Sequence, residues 1–339
     1  MDETLWATLW DAQPGWLDTA SYGLPPRRAY EALQAMLADW RGGRTSWMPW
    51  DEATQRARSA YARLIGVDVD DVCVGAQVSQ VLGPVAAGLA GSRFLVPDNE
   101  FSSNVFPWAV AGEVRTAPPA RLAEAVDANT DVVAFSLVQS STGEVCDYPA
   151  VVAAARAHNA FVIVDATQAC GWLPFDGSLA DAVVAGAYKW LMGPRGSAFG
   201  YLAPGLRDRL TPWAAGWYAG DEVHDSYYGL PLRLAKNARR FDISPSWQVF
   251  VGTAPALELV EELGVAAIHE HNVRLANRFL TGLGQPPGNS AIVTVNRPGA
   301  QERLDRAGIR AAVRAGRVRA SFHAYTTDAD VDLALDALT

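Results

Sequence analysis

Short apolar runs without polar alternation recur through the first two thirds of the chain, separated by stretches of helical periodicity. Residues 72–74, 94–96, 131–136, 161–165, 181–185 and 198–202 have the length and composition of strands buried on both faces. Helices are predicted between them over 79–89, 103–111 and 150–158. This alternation predicts an α/β fold with a mainly parallel central sheet covered by helices. From 213 to 246 the periodicity fades into a Trp-, Tyr-, Gly- and Arg-rich stretch, a long loop of the kind that usually carries function. Beyond Gly252 the pattern changes. Helices are predicted over 254–263 and 265–280, strands over 291–295 and 318–321, and a last helix over 328–338 with Thr327 as its cap. The expected division is a large domain over residues 15–251 and a smaller α+β domain over 252–339, joined by residues 1–14.

Composition narrows the classes. The chain has 339 residues, half of them hydrophobic, and a net charge of −9 with no block of like charge. Nothing in it suggests a nucleic-acid footprint. The longest apolar stretch, 81–90, is broken by Gly83, Pro84 and Gly88, too short to span a membrane. The acidic N-terminus has no basic segment leading into an apolar one, so no signal peptide is read, and a cytoplasmic protein is expected. The three cysteines, Cys73, Cys146 and Cys170, match no metal spacing, and Cys73 and Cys170 read as core residues.

Lysine usage is more informative. Of 28 basic residues only Lys189 and Lys236 are lysines. Lys189 follows the apolar run 183–187. A lysine is almost never buried without a partner or a task, and desolvation lowers its pKa toward that of a usable nucleophile.

Ligands of parallel sheets bind at the carboxyl ends of strands. Asp165 falls at one such end, followed by Ala166-Thr167-Gln168. Lys189 falls just after another, 24 positions later. The loop Gly75-Ala76-Gln77-Val78 presents a helix N-terminus, whose free N–H groups suit a phosphate. Taken together, an acid, a semi-buried lysine and an anion-binding helix start are what pyridoxal 5′-phosphate needs. The lysine forms an imine, the carboxylate keeps the pyridine nitrogen protonated, and the helix holds the phosphate.

The motifs in their order resemble the class V aminotransferase family of fold-type I pyridoxal-phosphate enzymes. That group includes cysteine desulfurases, kynureninases, isopenicillin N epimerase-like proteins and ergothioneine-pathway C–S lyases. The segment 100–108, Glu-Phe-Ser-Ser-Asn-Val-Phe-Pro-Trp, is similar to the family's Glu-His-x-x-Asn-x-x-Pro-Trp and implies Phe101 over the pyridine face. Asp165 and Gln168 match Asp-x-x-Gln, which implies contacts to the ring nitrogen and ring hydroxyl. Tyr188-Lys189 followed by Gly193-Pro194-Arg195-Gly196 is similar to the lysine segment, which implies a Schiff base on Lys189. Val78 and Ser79 match the phosphate turn, and Tyr188 is either a packing residue or a phosphate donor. Gln139 or Ser140 replaces an asparagine near the ring hydroxyl. Arg319-Ala320-Ser321 resembles the Arg-x-Ser strand whose arginine holds the substrate carboxylate. Ser244 stands where a threonine reaches the neighbouring subunit's phosphate. Trp217 and Tyr218 resemble a kynureninase-like loop that lines the neighbour's site or the dimer interface. A homodimer is therefore implied.

Departures from the family bear on the reaction. Desulfurases carry a nucleophilic cysteine shortly before the Arg-x-Ser strand. Here residues 311–317 are a short stretch without cysteine, and the ring-stacking histidine is Phe101, which cannot move protons. Persulfide chemistry is not expected. Aminotransfer ranks first because it needs no extra group, β-elimination by a C–S lyase second and epimerisation third. A fold that binds without catalysing is the non-enzymatic alternative. The glycine-rich nucleotide motifs are absent.

Overall fold

The computed structural model describes residues 3–339. Seven strands form the main sheet: β1 (Val72–Gly75), β2 (Arg93–Pro97), β3 (Glu113–Ala117), β4 (Val132–Ser136), β5 (Phe161–Asp165), β6 (Ala182–Gly186) and β7 (Ala198–Leu202). Their order is β1-β7-β6-β5-β4-β2-β3. All neighbours are parallel except β7, which runs antiparallel to both β1 and β6. Each of the six apolar runs becomes a strand. Edge strand β3 had no such run to announce it, because Glu113, Arg115 and Thr116 face solvent.

Side chains of the central strands are buried on both sides. Val133, Phe135, Val162, Val164 and Val183 enter one core, while Val132, Ala134, Ile163 and Val184 enter the other. This two-sided burial is why the strands read as continuous apolar runs.

Helices cover both faces. Among them, α1 (Arg27–Arg41) and α2 (Met48–Ile65) lie outside the elements expected from the sequence. The buried side of α2 is largely Ala53, Ala57, Ala60 and Ala62, so it has little apolar contrast to reveal it. Helix α3 (Val78–Gly88) follows β1 as predicted.

A second, antiparallel sheet is built from β8 (Ile292–Val295), β9 (Ala312–Arg314) and β10 (Arg317–Ser321), in the order β8-β10-β9. Its own core gathers Leu275, Phe279, Val293, Val318 and Phe322. The division expected at residues 251 and 252 falls inside the continuous helix Trp247–Leu263, whose buried residues from Ala254 to Leu263 belong to the main core. Pro255 lies within that helix, and together with Gly252 it masks the helical pattern of residues 247–253. Trp6 and Trp10 also enter the main core, and residues 1 and 2 lie outside the described ones. Thr327 caps the last helix through a capping box with Asp330. No helix among the described residues is long and apolar enough to cross a membrane.

Candidate active site

The carboxyl ends of β4, β5 and β6 and the N-terminus of α3 converge on one cavity of about 270 Å³. Val78, Ser79, Phe101, Ser140, Asp165, Gln168, Tyr188 and Lys189 all line it. The arrangement follows from the topology. Parallel β4 and β5 end in register at Ser136 and Asp165, so both side chains arrive at the same rim.

Lys189 sits in a tight loop after β6. That loop is closed by Ala187 N–H to Ser197 O (3.0 Å), Gly193 N–H to Ala187 O (2.9 Å) and Met192 N–H to Lys189 O (3.0 Å). The N-terminal strap clamps it from outside, with Gly23 N–H donating to Tyr188 O at 3.0 Å. A Cβ on Gly23 would lie 1.9 Å from the Lys189 carbonyl oxygen, so only glycine permits this approach. The Lys189 amine is buried and makes no hydrogen bond among the described residues. It lies 5.7 Å from the Phe101 ring centroid and 5.6 Å from that of Tyr188. Burial pushes its pKa down to about 8. Asp165 resists that shift, and the guanidiniums of Arg319, Arg314 and Arg195 add to it.

Asp165 is buried at the end of β5 and accepts a 2.8 Å hydrogen bond from Thr167 N–H. Burial raises its pKa above the ordinary carboxylate value, while Thr167 and Lys189 pull it back. Gln168 is held by three contacts. Its amide donates to Ala20 O (3.0 Å), its side-chain oxygen accepts from the Trp190 indole (2.7 Å), and its backbone oxygen accepts from the Trp172 indole (2.6 Å). One amide hydrogen remains for the cavity.

At the other end of the cavity, Gln77 precedes α3 in an extended conformation and gives the helix no side-chain cap. The first N–H groups of α3, at Val78 and Ser79, therefore have no acceptor from the cap. Phe101 hangs over the cavity, 48% exposed.

Arg319, on β10, is almost wholly buried behind Ser140. It donates to Ser140 O (2.6 Å) and Ser21 Oγ (2.7 Å) and pairs with Asp18 at 3.4 Å. Its Nε has no hydrogen-bond partner among the described residues. Arg319 therefore stands behind the cavity wall and does not line it, and three further expected residues lie away from the cavity of their own chain. Ser244 is exposed outside it. Tyr218 donates to Asp51 and accepts from Gln55 (3.0 Å). Trp217 packs on Trp47 and Tyr227.

Sequence reasoning passed over Glu100, Thr167 and Arg195 as site residues, although each lay inside a recognised motif. Glu100 is half-buried beside Phe101, where it accepts from Phe101 N–H (2.8 Å), Ser136 N–H (2.6 Å), the Ser136 hydroxyl and Gln139 (3.2 Å). Burial raises its pKa. Thr167 Oγ accepts from Gly186 N–H (3.0 Å), tying β5 to β6 below the lysine. Arg195 stacks over Tyr188 at 5.0 Å and lines the cavity.

The description Aminotransferase class-V fits residues 16–303. The chain belongs to the class V aminotransferase family. It is 29% identical over 242 residues to the uncharacterized aminotransferase YcbU of Bacillus subtilis, covering 67% of this chain and 64% of that protein. It is 28% identical over 307 residues to isopenicillin N epimerase of Streptomyces clavuligerus, covering 81% and 76%. The fold matches that of the cystine C–S lyase C-DES with a TM-score of 0.84 at 21% identity, covering 96% of this chain and 97% of that one. The fold is thus fold-type I, and the cofactor of this family member is pyridoxal phosphate. The cavity fits it. A lysine amine without a hydrogen bond and a buried carboxylate stand at one end, uncapped helix N–H groups at the other, and an aromatic ring between.

Proposed function

We propose that this protein is an aminotransferase acting on an α-amino acid, with Lys189 as the covalent anchor of the cofactor and as the base at the substrate's Cα. The observation that carries this reading is the buried Lys189 amine, free of hydrogen bonds among the described residues and with its pKa at about 8, sharing one cavity with Asp165. A lysine so placed is neutral in roughly a tenth of the molecules at pH 7, far more than an ordinary lysine, and that fraction can act as a nucleophile or base.

Bound there, pyridoxal phosphate supplies the electron sink for the bond broken at Cα. The chain's own residues do the rest. The helix start at Val78 and Ser79 receives the phosphate, and Phe101 covers one ring face. The Asp165 carboxylate holds a proton at the ring nitrogen, and Gln168, fixed by Trp190, offers its remaining amide hydrogen at the ring hydroxyl. Arg319 takes the substrate carboxylate. Lys189 removes the Cα proton and delivers it where aminotransfer requires. Trp217, Tyr218 and Ser244 lie away from their own cavity, and in this reading they belong to a homodimer in which they approach the partner's site.

The site offers no thiol of this chain as a sulfur acceptor. Cys73 and Cys170 are buried, and none of the three cysteines lines the cavity. Burial pushes each thiol up to about 12.

The test is to add pyridoxal phosphate, reduce with borohydride and map the label. The expected result is a visible band bleached by borohydride, with the pyridoxyl group on Lys189 and none in Lys189→Ala. Supplying amino acids with a keto acid should then give a new amino acid. Release of ammonia and pyruvate instead would replace aminotransfer by β-elimination. A colourless protein with no label would end the reading.

A further inference from the structure

The β9–β10 hairpin turns through two residues only, Ala315 (φ 47°) and Gly316 (φ 75°), with Arg314 opposite Arg317. This tight turn places Arg314 beside the N-terminal strap. The strap is fixed against β10 by a parallel bridge between Asp18 and Ser321 and by Ala20 N–H to Ser321 Oγ at 2.9 Å. Ser21 thereby comes under two guanidiniums. Arg319 Nη2 donates to its hydroxyl oxygen at 2.7 Å and Arg314 Nη2 at 3.2 Å.

The local charge is unbalanced. Arg319 has one carboxylate, Asp18, at 3.4 Å. Arg314 is exposed and pairs with no carboxylate among the described residues; its other contact is Nη1 to its neighbour's carbonyl, Val313 O, at 2.8 Å. Two cations converge on one neutral hydroxyl with Asp18 as their one carboxylate, so the group keeps a net positive charge that a second anion would balance. Accepting from both also leaves the Ser21 proton free to donate outward. The pair adjoins the cavity, because Arg319 rests on Ser140, which lines it.

We propose that Arg314 and the Ser21 hydroxyl form a second anionic subsite next to Arg319. The ligands of this site are then dicarboxylic, either an α-amino acid with an acidic side chain or the corresponding keto acid. The buried Arg319 takes the carboxylate at the α-carbon, and the exposed Arg314 takes the distal one. This rests on the proposed reading that the cavity is the amino-acid site. It makes Arg314 a specificity residue, set on the hairpin and not on the catalytic loop.

The experiment is calorimetric titration of the purified holoprotein with succinate and with butyrate, four-carbon acids that differ in the second carboxylate. Cofactor content is measured separately, as the borohydride-fixed label on Lys189. A charge-assisted hydrogen bond at a solvent-facing site predicts succinate binding roughly ten-fold tighter than butyrate. In Arg314→Gln that ratio should fall to about one, and in Arg314→Lys it should be partly kept. Equal binding of the two acids by wild type, or a ratio unchanged in Arg314→Gln, would overturn the inference even with the label present. Absence of the label would instead count against the cofactor reading, and the succinate-to-butyrate ratio of the same protein would still decide the arginine pair.

Discussion

Two buried charges in this molecule sit in opposite situations. Arg58 and Asp242 form an ion pair with no exposure to solvent at the carboxylate. Arg58 donates to Asp242 at 2.6 Å, to Val72 O at 2.6 Å and to Gln55 at 3.1 Å. Asp242 in turn accepts from Val74 N–H at 2.8 Å. Every group around the pair is answered, and the result joins α2, strand β1 and the segment before Ser244. Lys189 is comparably buried, yet among the described residues its amine has no hydrogen-bond partner, and Arg319 close by keeps an orphan Nε. A closed pair holds elements together. An open set of charges around a cavity is incomplete until something binds, and incompleteness of that kind marks a functional site.

The largest break in this comparison is Lys189→Ala. Loss of the base and anchor should lower turnover by about 10⁴-fold. Folding stability should stay within about 1 kcal/mol, because the side chain lines an existing cavity and leaves no partner unsatisfied. Asp242→Ala should do the reverse. It strands a buried guanidinium and should cost about 3–5 kcal/mol in denaturant unfolding. Paired urea titrations and single-turnover assays of the two variants test the division directly. A large stability loss in Lys189→Ala would show that the site is structural after all.

Arg319 stands between these extremes, buried and partly answered. Arg319→Gln removes one charged partner of the substrate carboxylate and should reduce kcat/KM by about 2–3 kcal/mol, roughly a hundred-fold, chiefly through KM. Steady-state kinetics with an amino acid and with the matching amine separate the cases. The amine lacks the carboxylate, so its slower reaction should be insensitive to the substitution.

The comparison also shows what a sequence can reveal. Asp165 and Lys189 were legible because each ends or follows an apolar strand, where a charge stands out. The six core strands were legible for the same reason. Strand β3 and helices α1 and α2 were not, since an exposed edge and an alanine-lined face carry little contrast. Arg314 was hidden among Arg314, Arg317 and Arg319, a run that composition reads as a solvated face. Only the two-residue turn and the Ser21 contact distinguish its members. Asp242 lies within the long stretch 213–246 that carries little periodicity, and its bond to Arg58 across 184 positions could not be seen from either end.

The smallest effect is the most diagnostic of an open site, because it reads the lysine's surroundings without removing it. An ordinary lysine amine has a pKa of 10.5, and burial brings Lys189 to about 8. Below that value the amine is charged and unreactive, and above it the amine is neutral. The rate at which cofactor-free protein captures pyridoxal phosphate should therefore rise with pH, with a midpoint near pH 8. Asp165 favours the charged form, so in Asp165→Asn the midpoint should move to lower pH. The flanking arginines act the other way, so Arg314→Gln should move it slightly upward. A midpoint near that of a free lysine, unmoved by either substitution, would mean that the amine is solvated and that the contrast with the Arg58–Asp242 pair does not hold. Opposite displacements in the two variants would show that the same field which leaves Lys189 reactive is shaped by the carboxylate at the end of β5 and by the hairpin between β9 and β10.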